Sequence, residues 1–175
     1  MKKLLLCLVF LLGGCAVAPP SGVIPVTGFE LDRYLGKWYE IARLDHSFER
    51  GLSDVSAAYS PRDDGGLKVL NRGYDERAQI WKDAEGRAYF IGEPTVGSLK
   101  VSFFGPFYGG YHIIALDKES YSWAMIGGPS RDYLWILART RQLPPTVLGE
   151  LLRQARALGF ATDQLILVRQ DRGDA

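Results

Sequence analysis

Leu99-Lys100-Val101-Ser102-Phe103-Phe104-Gly105-Pro106 is the stretch whose pattern decides the fold. Leu99, Val101 and Phe103 alternate with Lys100 and Ser102, the two-residue period of a half-buried strand. Gly105-Pro106 then breaks it. The same pattern repeats on both sides. Residues 38–44 and 54–60 read as strands, the second closed by Pro61-Arg62-Asp63-Asp64-Gly65-Gly66. Residues 67–81 read as one long strand bent near Gly73, and Ala84-Glu85-Gly86 turns it into a strand at 87–91. Residues 111–116, 121–126 and 132–139 complete a set of eight. Short strands at near-regular spacing predict an all-β, antiparallel, up-and-down sheet. A sheet of eight such strands either curls into a sandwich or closes into a barrel, and closure removes the exposed edges that invite aggregation.

One segment departs from that period. Over 144–158, Val147, Leu148, Leu151, Leu152, Ala155 and Leu158 fall at helical spacing, with Glu150, Arg153 and Arg156 elsewhere. Proline at the start and Gly159 just past the end fit a helix. Its apolar stripe predicts packing on the outside of the barrel. A short ninth strand at 165–169 follows.

The beginning of the chain carries a different kind of signal. Lys2 and Lys3 precede an apolar run over 4–12, and small residues follow, which is the layout of a secretory signal peptide. The run is too short for a stable transmembrane helix. Leu12-Gly13-Gly14-Cys15 resembles the bacterial lipobox, which implies a signal peptide over 1–14 and acylation of Cys15. Residues 15–28 hold three prolines and three glycine or serine residues without charge, and read as a lipidated, mostly extended tether. A single domain over 29–170 and a short tail over 171–175 remain. With Cys7 in the leader and Cys15 acylated, no thiol is left for a disulfide, a nucleophile or a thiolate metal site. The balance of 21 basic and 20 acidic residues offers no basic stripe for nucleic acid.

Gly36-Lys37-Trp38-Tyr39-Glu40-Ile41-Ala42-Arg43 resembles the Gly-x-Trp signature of the lipocalin family. Leu116-Asp117 with Tyr121 resembles the second lipocalin motif, and Arg139 at the end of the eighth strand resembles the third. The runs Phe48-Glu49-Arg50-Gly51, 100–111 and 131–139 are similar to the bacterial outer-membrane branch of the family, related to apolipoprotein D. That branch is lipidated, so the resemblance implies an anchor in the outer membrane, on its periplasmic face. It also implies that Gly36, Trp38, Asp117, Tyr121 and Arg139 are structural, with the Arg139 guanidinium stacked on Trp38 at the closed end. Strand parity agrees, since Arg139 shares a face with Tyr133, Trp135 and Leu137.

The alternation predicts an apolar and aromatic interior, formed by Val55, Ala57, Tyr59, Leu99, Val101, Phe103, Tyr111, Ile113 and the face that carries Trp135. An eight-stranded barrel holds either packed side chains or one small ligand; the resemblance implies a cavity. Polar residues are expected only near the open end, where Glu49 and Arg50 would place opposite charges beside Phe48, Phe107 and Tyr108. Glu49, Tyr108, Tyr111 and Trp135 are the expected ligand contacts. The ligand would be a fatty acid or lysophospholipid, and a homodimer stays open.

An enzyme is not expected. His46 and His112 belong to no recognisable metal cluster, no nucleophile elbow or phosphate loop occurs, and Asp63-Asp64-Gly65-Gly66 reads as a hairpin turn. No catalytic residue, metal or cofactor is expected. Three readings follow: a tethered lipid carrier, a tethered lipid hydrolase or isomerase, and an interaction module docking through its aromatic rim. The missing catalytic set favours the carrier.

Overall fold

The computed structural model describes residues 17–173. A four-residue helix α1 (Leu31–Tyr34) leads into eight strands: β1 (Gly36–Arg43), β2 (Leu52–Pro61), β3 (Leu67–Asp75), β4 (Ile80–Phe90), β5 (Ser98–Ser102), β6 (Gly109–Leu116), β7 (Trp123–Gly127) and β8 (Leu134–Ala138). Helix α2 (Pro145–Ala157), a single 3-10 turn and the two-residue β9 (Ile166–Leu167) follow. All pairings are antiparallel between sequence neighbours, and β8 pairs back onto β1, which also pairs with β2. The sheet is a closed barrel, the one of the two outcomes of the strand pattern that the family resemblance implies.

One hairpin lies where the sequence signal is weakest. The expected turn at Ala84-Glu85-Gly86 is mid-strand in β4, where Gly86 faces Val69 and Glu85 faces Leu70. The turn falls instead at residues 76–79. There Asp75 Oδ1 accepts the backbone N–H groups of Arg77 and Ala78, at 3.0 and 2.9 Å, and Gln79 takes a positive φ. Aspartate makes this turn without glycine or proline. Gly86 serves packing, because a Cβ there would come within 2.8 Å of the Phe103 ring. The short helix α1 also has no counterpart in the strand pattern, since four residues are too few to show a helical period.

Beyond Tyr39, strand β2 leaves β1 and the C-terminal stretch takes its place. Leu167 and Ile166 pair with Ala42 and Arg43. The Gln170 amide donates to the carbonyls of Glu40 and Val55, both at 2.8 Å, bridging the two strands. Arg172 donates its backbone N–H to Asp54 and lays its guanidinium 3.9 Å from the Tyr74 ring centre. Outside the barrel, Leu151 and Ala155 of α2 are buried against Ala42, Met125, Leu134 and Ile136. Gly159 accepts the positive φ that ends the helix.

The barrel has a floor and a mouth, because β1 starts at one and ends at the other. At the floor, Trp38 is fully buried and its Nε1 donates to the Tyr34 carbonyl at 2.8 Å. The Arg139 guanidinium carbon lies 3.9 Å from the Trp38 ring centre. Its nitrogens donate to the carbonyls of Arg33, Lys37 and Tyr121, so α1, β1 and the turn after β6 are clasped by one side chain. Gly36 has φ +91°, and a Cβ there would sit 3.5 Å from Arg139 Nη1.

Asp117 holds that turn by accepting from the backbone and hydroxyl groups of Ser120 and Ser122. Its partial burial alone would raise the carboxyl pKa. The four hydrogen bonds outweigh it and hold the group well below the usual carboxylate range. The Tyr121 hydroxyl accepts the Glu30 N–H at 3.0 Å, and Arg33 covers its ring.

Candidate functional site

Between floor and mouth the inward faces do not meet. They enclose a cavity of about 580 Å³, within the range of small-molecule sites. Its wall includes Val55, Ala57, Leu99, Val101, Phe103 and Leu137, the side chains that strand alternation turns inward. The interior is a lined void rather than a filled core.

All four expected contacts line it, but they do not form one cluster. Glu49 and Trp135 belong together on the mouth side: Trp135 Nε1 donates to Glu49 Oε2 at 3.0 Å. Tyr111, near the start of β6, sends its hydroxyl toward the floor. Its hydroxyl is 2.7 Å from that of Tyr34 and 2.8 Å from that of Tyr59. Burial raises all three phenols above the ordinary tyrosine range, so they stay neutral and share protons as a hydrogen-bonded row. Tyr108 borders the cavity, while its ring faces Tyr89 at 6.3 Å and the cations of Arg87 and Lys100, which point away from the interior.

Two sequence expectations are corrected here. Glu49 and Arg50 do not form a charged pair at the mouth. Arg50 turns outward to Asp45 with an Nε–Oδ2 distance of 2.8 Å, while Glu49 turns inward and is buried. Adjacent loop residues point to opposite sides, so Arg50 pairs with Asp45 while the Glu49 carboxylate accepts from the Trp135 indole. Polar groups are also not confined to the open end, given the tyrosine row at the floor and Asn71 on the β3 wall. Asn71 Oδ1 is buried with no hydrogen-bond partner among the described residues.

The largest feature missed from sequence is the group around Glu40. Glu40 lines the cavity and is buried. Arg43, also buried, donates from Nη1 to Glu40 Oε1 at 2.6 Å and from Nη2 to the carbonyls of Glu49 and Leu52 at 2.9 and 3.0 Å. One guanidinium therefore ties the 44–51 loop to the wall. Burial and then the neighbouring Glu49 push the Glu40 carboxyl up, and Arg43 opposes them. His46 Nε2 lies 2.9 Å from Glu49 Oε2, and its ring stacks on Phe48 with centres 3.8 Å apart. Two-residue parity from the inward Trp38 would have pointed to Glu40. Arg43 was hidden by the bulge between Glu40 and Ala42, which resets that parity.

The floor motifs, the closed barrel and the outside helix converge with the comparison to known families: a lipocalin-like domain matches residues 29–170. The chain belongs to the lipocalin family. It is 55% identical over 167 residues to the outer membrane lipoprotein Blc of Vibrio cholerae serotype O1, a match covering 95% of this chain and 96% of that one. Identity is also 55% to the protein of the same name from Escherichia coli K12, covering 92% and 91%. Apolipoprotein D of Rattus norvegicus is 33% identical, covering 81% and 75%. Among solved structures, insecticyanin of the tobacco hornworm Manduca sexta superposes with a TM-score of 0.69 at 22% identity, covering 90% and 88%, which shares the fold. The bacterial relatives place this lipocalin at the outer membrane. Among the described residues, no three His, Cys, Asp or Glu side chains gather as a metal site.

Proposed function

We propose that this lipocalin holds one amphiphilic lipid, a fatty acid or lysophospholipid, with its tail in the barrel and its head at the mouth, and carries it at the outer membrane without altering it. The observation that carries this reading is the cavity of about 580 Å³, apolar along its wall and provided with the Glu49–Trp135 pair on the mouth side. Apolar lining with a few fixed polar groups suits a ligand that is itself apolar with one polar end. A buried carboxylate beside an indole N–H favours head groups that can donate a hydrogen bond or carry positive charge, so lysophospholipids with an amine are preferred over free fatty acids. Asn71 Oδ1 would gain a donor from a ligand hydroxyl, such as that of a lyso glycerol, because a buried acceptor without a partner is costly.

Native mass spectrometry of the protein taken from a bacterial membrane, followed by lipid extraction, tests this directly. One lipid of intact mass per chain is the expected result. A cavity with no lipid, or recovery of cleaved or isomerised lipid, would contradict it, the latter in favour of an enzyme.

Cys15 lies outside the described residues, and its acylation is part of the same proposal. Two or more acyl chains give stable anchoring where one chain is marginal. Cys15→Ser is expected to yield unprocessed precursor or soluble protein. Unchanged mass and unchanged membrane fractionation would contradict acylation at this residue.

A further inference from the structure

We infer that the Tyr34–Tyr111–Tyr59 row is a second polar subsite of the cavity, which takes an uncharged oxygen, a hydroxyl or keto group, carried on the acyl tail of the ligand. The inference deepens the carrier reading and rests on it. Three separate elements build the row: Tyr34 comes from α1, Tyr59 from β2 and Tyr111 from β6. All three residues line the cavity. Their rings are held by packing. The Tyr34 ring centre lies 5.2 Å from that of Phe29, 4.7 Å from that of Trp38 and 5.4 Å from that of Tyr59. Tyr111 meets Tyr59 edge-on at 6.1 Å. The packed rings fix where the hydroxyl oxygens sit.

The row has one proton to spare. Three neutral phenols bring three O–H donors. The contacts of 2.7 Å between the Tyr34 and Tyr111 oxygens and 2.8 Å between those of Tyr111 and Tyr59 use two of them. Whichever way the row is ordered, one O–H is left without an acceptor among the described residues, and unused lone pairs remain beside it. A buried donor without a partner is costly. Phenylalanine at all three positions would line the floor for a plain hydrocarbon tail without that cost.

The surroundings favour a neutral oxygen over a carboxylate. Burial raises the Tyr59 phenol above its ordinary range, and the Glu49 and Glu40 carboxylates add to the rise. The same two charges would oppose an anion placed in the row. Arg139 acts in the other sense, but its nitrogens are committed to the carbonyls of Arg33, Lys37 and Tyr121. One spare donor does not satisfy a buried carboxylate. It does satisfy a keto oxygen, and a hydroxyl both accepts it and donates back to the row's lone pairs. With the head group held at the Glu49–Trp135 pair, the row selects tails by the distance between head and oxygen.

The test is a position scan on the protein freed of co-purified lipid. Hexadecanoic acid and its monohydroxy and keto forms, with the oxygen at successive carbons, are titrated by tryptophan fluorescence. One position is expected to bind about three- to ten-fold more tightly than the plain acid, the range of one net hydrogen bond. Oxygens well away from it should bind more weakly than the plain acid, because the wall there is apolar. Tyr34→Phe, Tyr59→Phe and Tyr111→Phe together should abolish the favoured position and leave the plain acid bound at least as tightly, since apolar groups of the same shape replace the whole row. If the plain acid saturates the unaltered protein and no oxygen position is favoured, the inference is overturned and the carrier reading stands; this comparison needs no variant. A favoured position that survives in the triple variant would also overturn it. Hexadecanedioic acid bound most tightly of all would make the row an anion site and contradict the assignment to a neutral oxygen. No saturation by any member of the series would overturn both the inference and the carrier reading.

Discussion

Replacing Trp38 with alanine is expected to lower folding stability by about 3–5 kcal/mol, the range for deleting a large buried aromatic. The size follows from its position. Trp38 is fully buried, donates to the Tyr34 carbonyl and packs against the Tyr34 ring at 4.7 Å. It also supports the Arg139 guanidinium from below. Removing it opens a void under the tyrosine row and leaves the guanidinium without its aromatic face, a contact worth about 2 kcal/mol when desolvated. Arg139→Ala should cost less, because its three carbonyl partners lie near the surface and can turn to water. The two losses should not add. Residues in direct contact couple by roughly 0.5–3 kcal/mol, and a urea-denaturation double-mutant cycle measures that coupling. Simple additivity would contradict the stacked floor.

Arg43→Ala is expected to be of similar size, about 3–5 kcal/mol, for a different reason. It leaves the buried Glu40 carboxylate without its cation and releases the carbonyls of Glu49 and Leu52. The loss should depend on pH. Burial, then Glu49, already raises the Glu40 pKa, and removing Arg43 raises it further. A carboxyl with a raised native pKa binds its proton more tightly folded than unfolded, so its contribution falls as pH rises through that native value. The variant's deficit should thus be smallest in acid and grow as pH rises above the ordinary glutamate range. Urea unfolding at about pH 4 and about pH 8 reads this difference. A deficit independent of pH would show that Glu40 does not titrate against Arg43. A deficit below about 1 kcal/mol would remove the buried pair altogether, since that is the value of an exposed one.

Much of this was legible in the chain. Alternation in Leu99-Lys100-Val101-Ser102-Phe103 placed β5 and told its inner face from its outer one, because a sheet with one dry side must sort its residues by two. The helical spacing of Leu151 and Ala155 likewise gave α2 and its buried stripe. The turn at 76–79 was not legible, since its geometry comes from one aspartate side chain rather than from glycine or proline. Gly86 misled because glycine marks a close approach as readily as a turn. At the site, Glu49, Tyr108, Tyr111 and Trp135 were named one by one and all line the cavity, but the contacts they make were not legible. The Glu40–Arg43 pair depends on a bulge, and the Tyr34–Tyr111–Tyr59 row joins residues 77 and 52 positions apart in sequence. No local pattern carries such information.

The most direct test of the carrier reading is a titration of the protein with a series of fatty acids and a series of lysophospholipids, read by quenching of tryptophan fluorescence. Each methylene buried from water contributes about 0.8 kcal/mol, so chains of roughly twelve to eighteen carbons have ample gross driving force. Association and ordering costs reduce it to roughly micromolar affinity or tighter. Saturation at one lipid per chain is expected, with affinity rising with tail length until the tail meets the Tyr34–Tyr111–Tyr59 row and then levelling. Trp135→Ala should weaken every tail, while Glu49→Ala should alter the ranking of head groups. Absence of saturable binding, affinity indifferent to tail length, or conversion of the bound lipid to product would contradict a carrier that holds its lipid in the barrel.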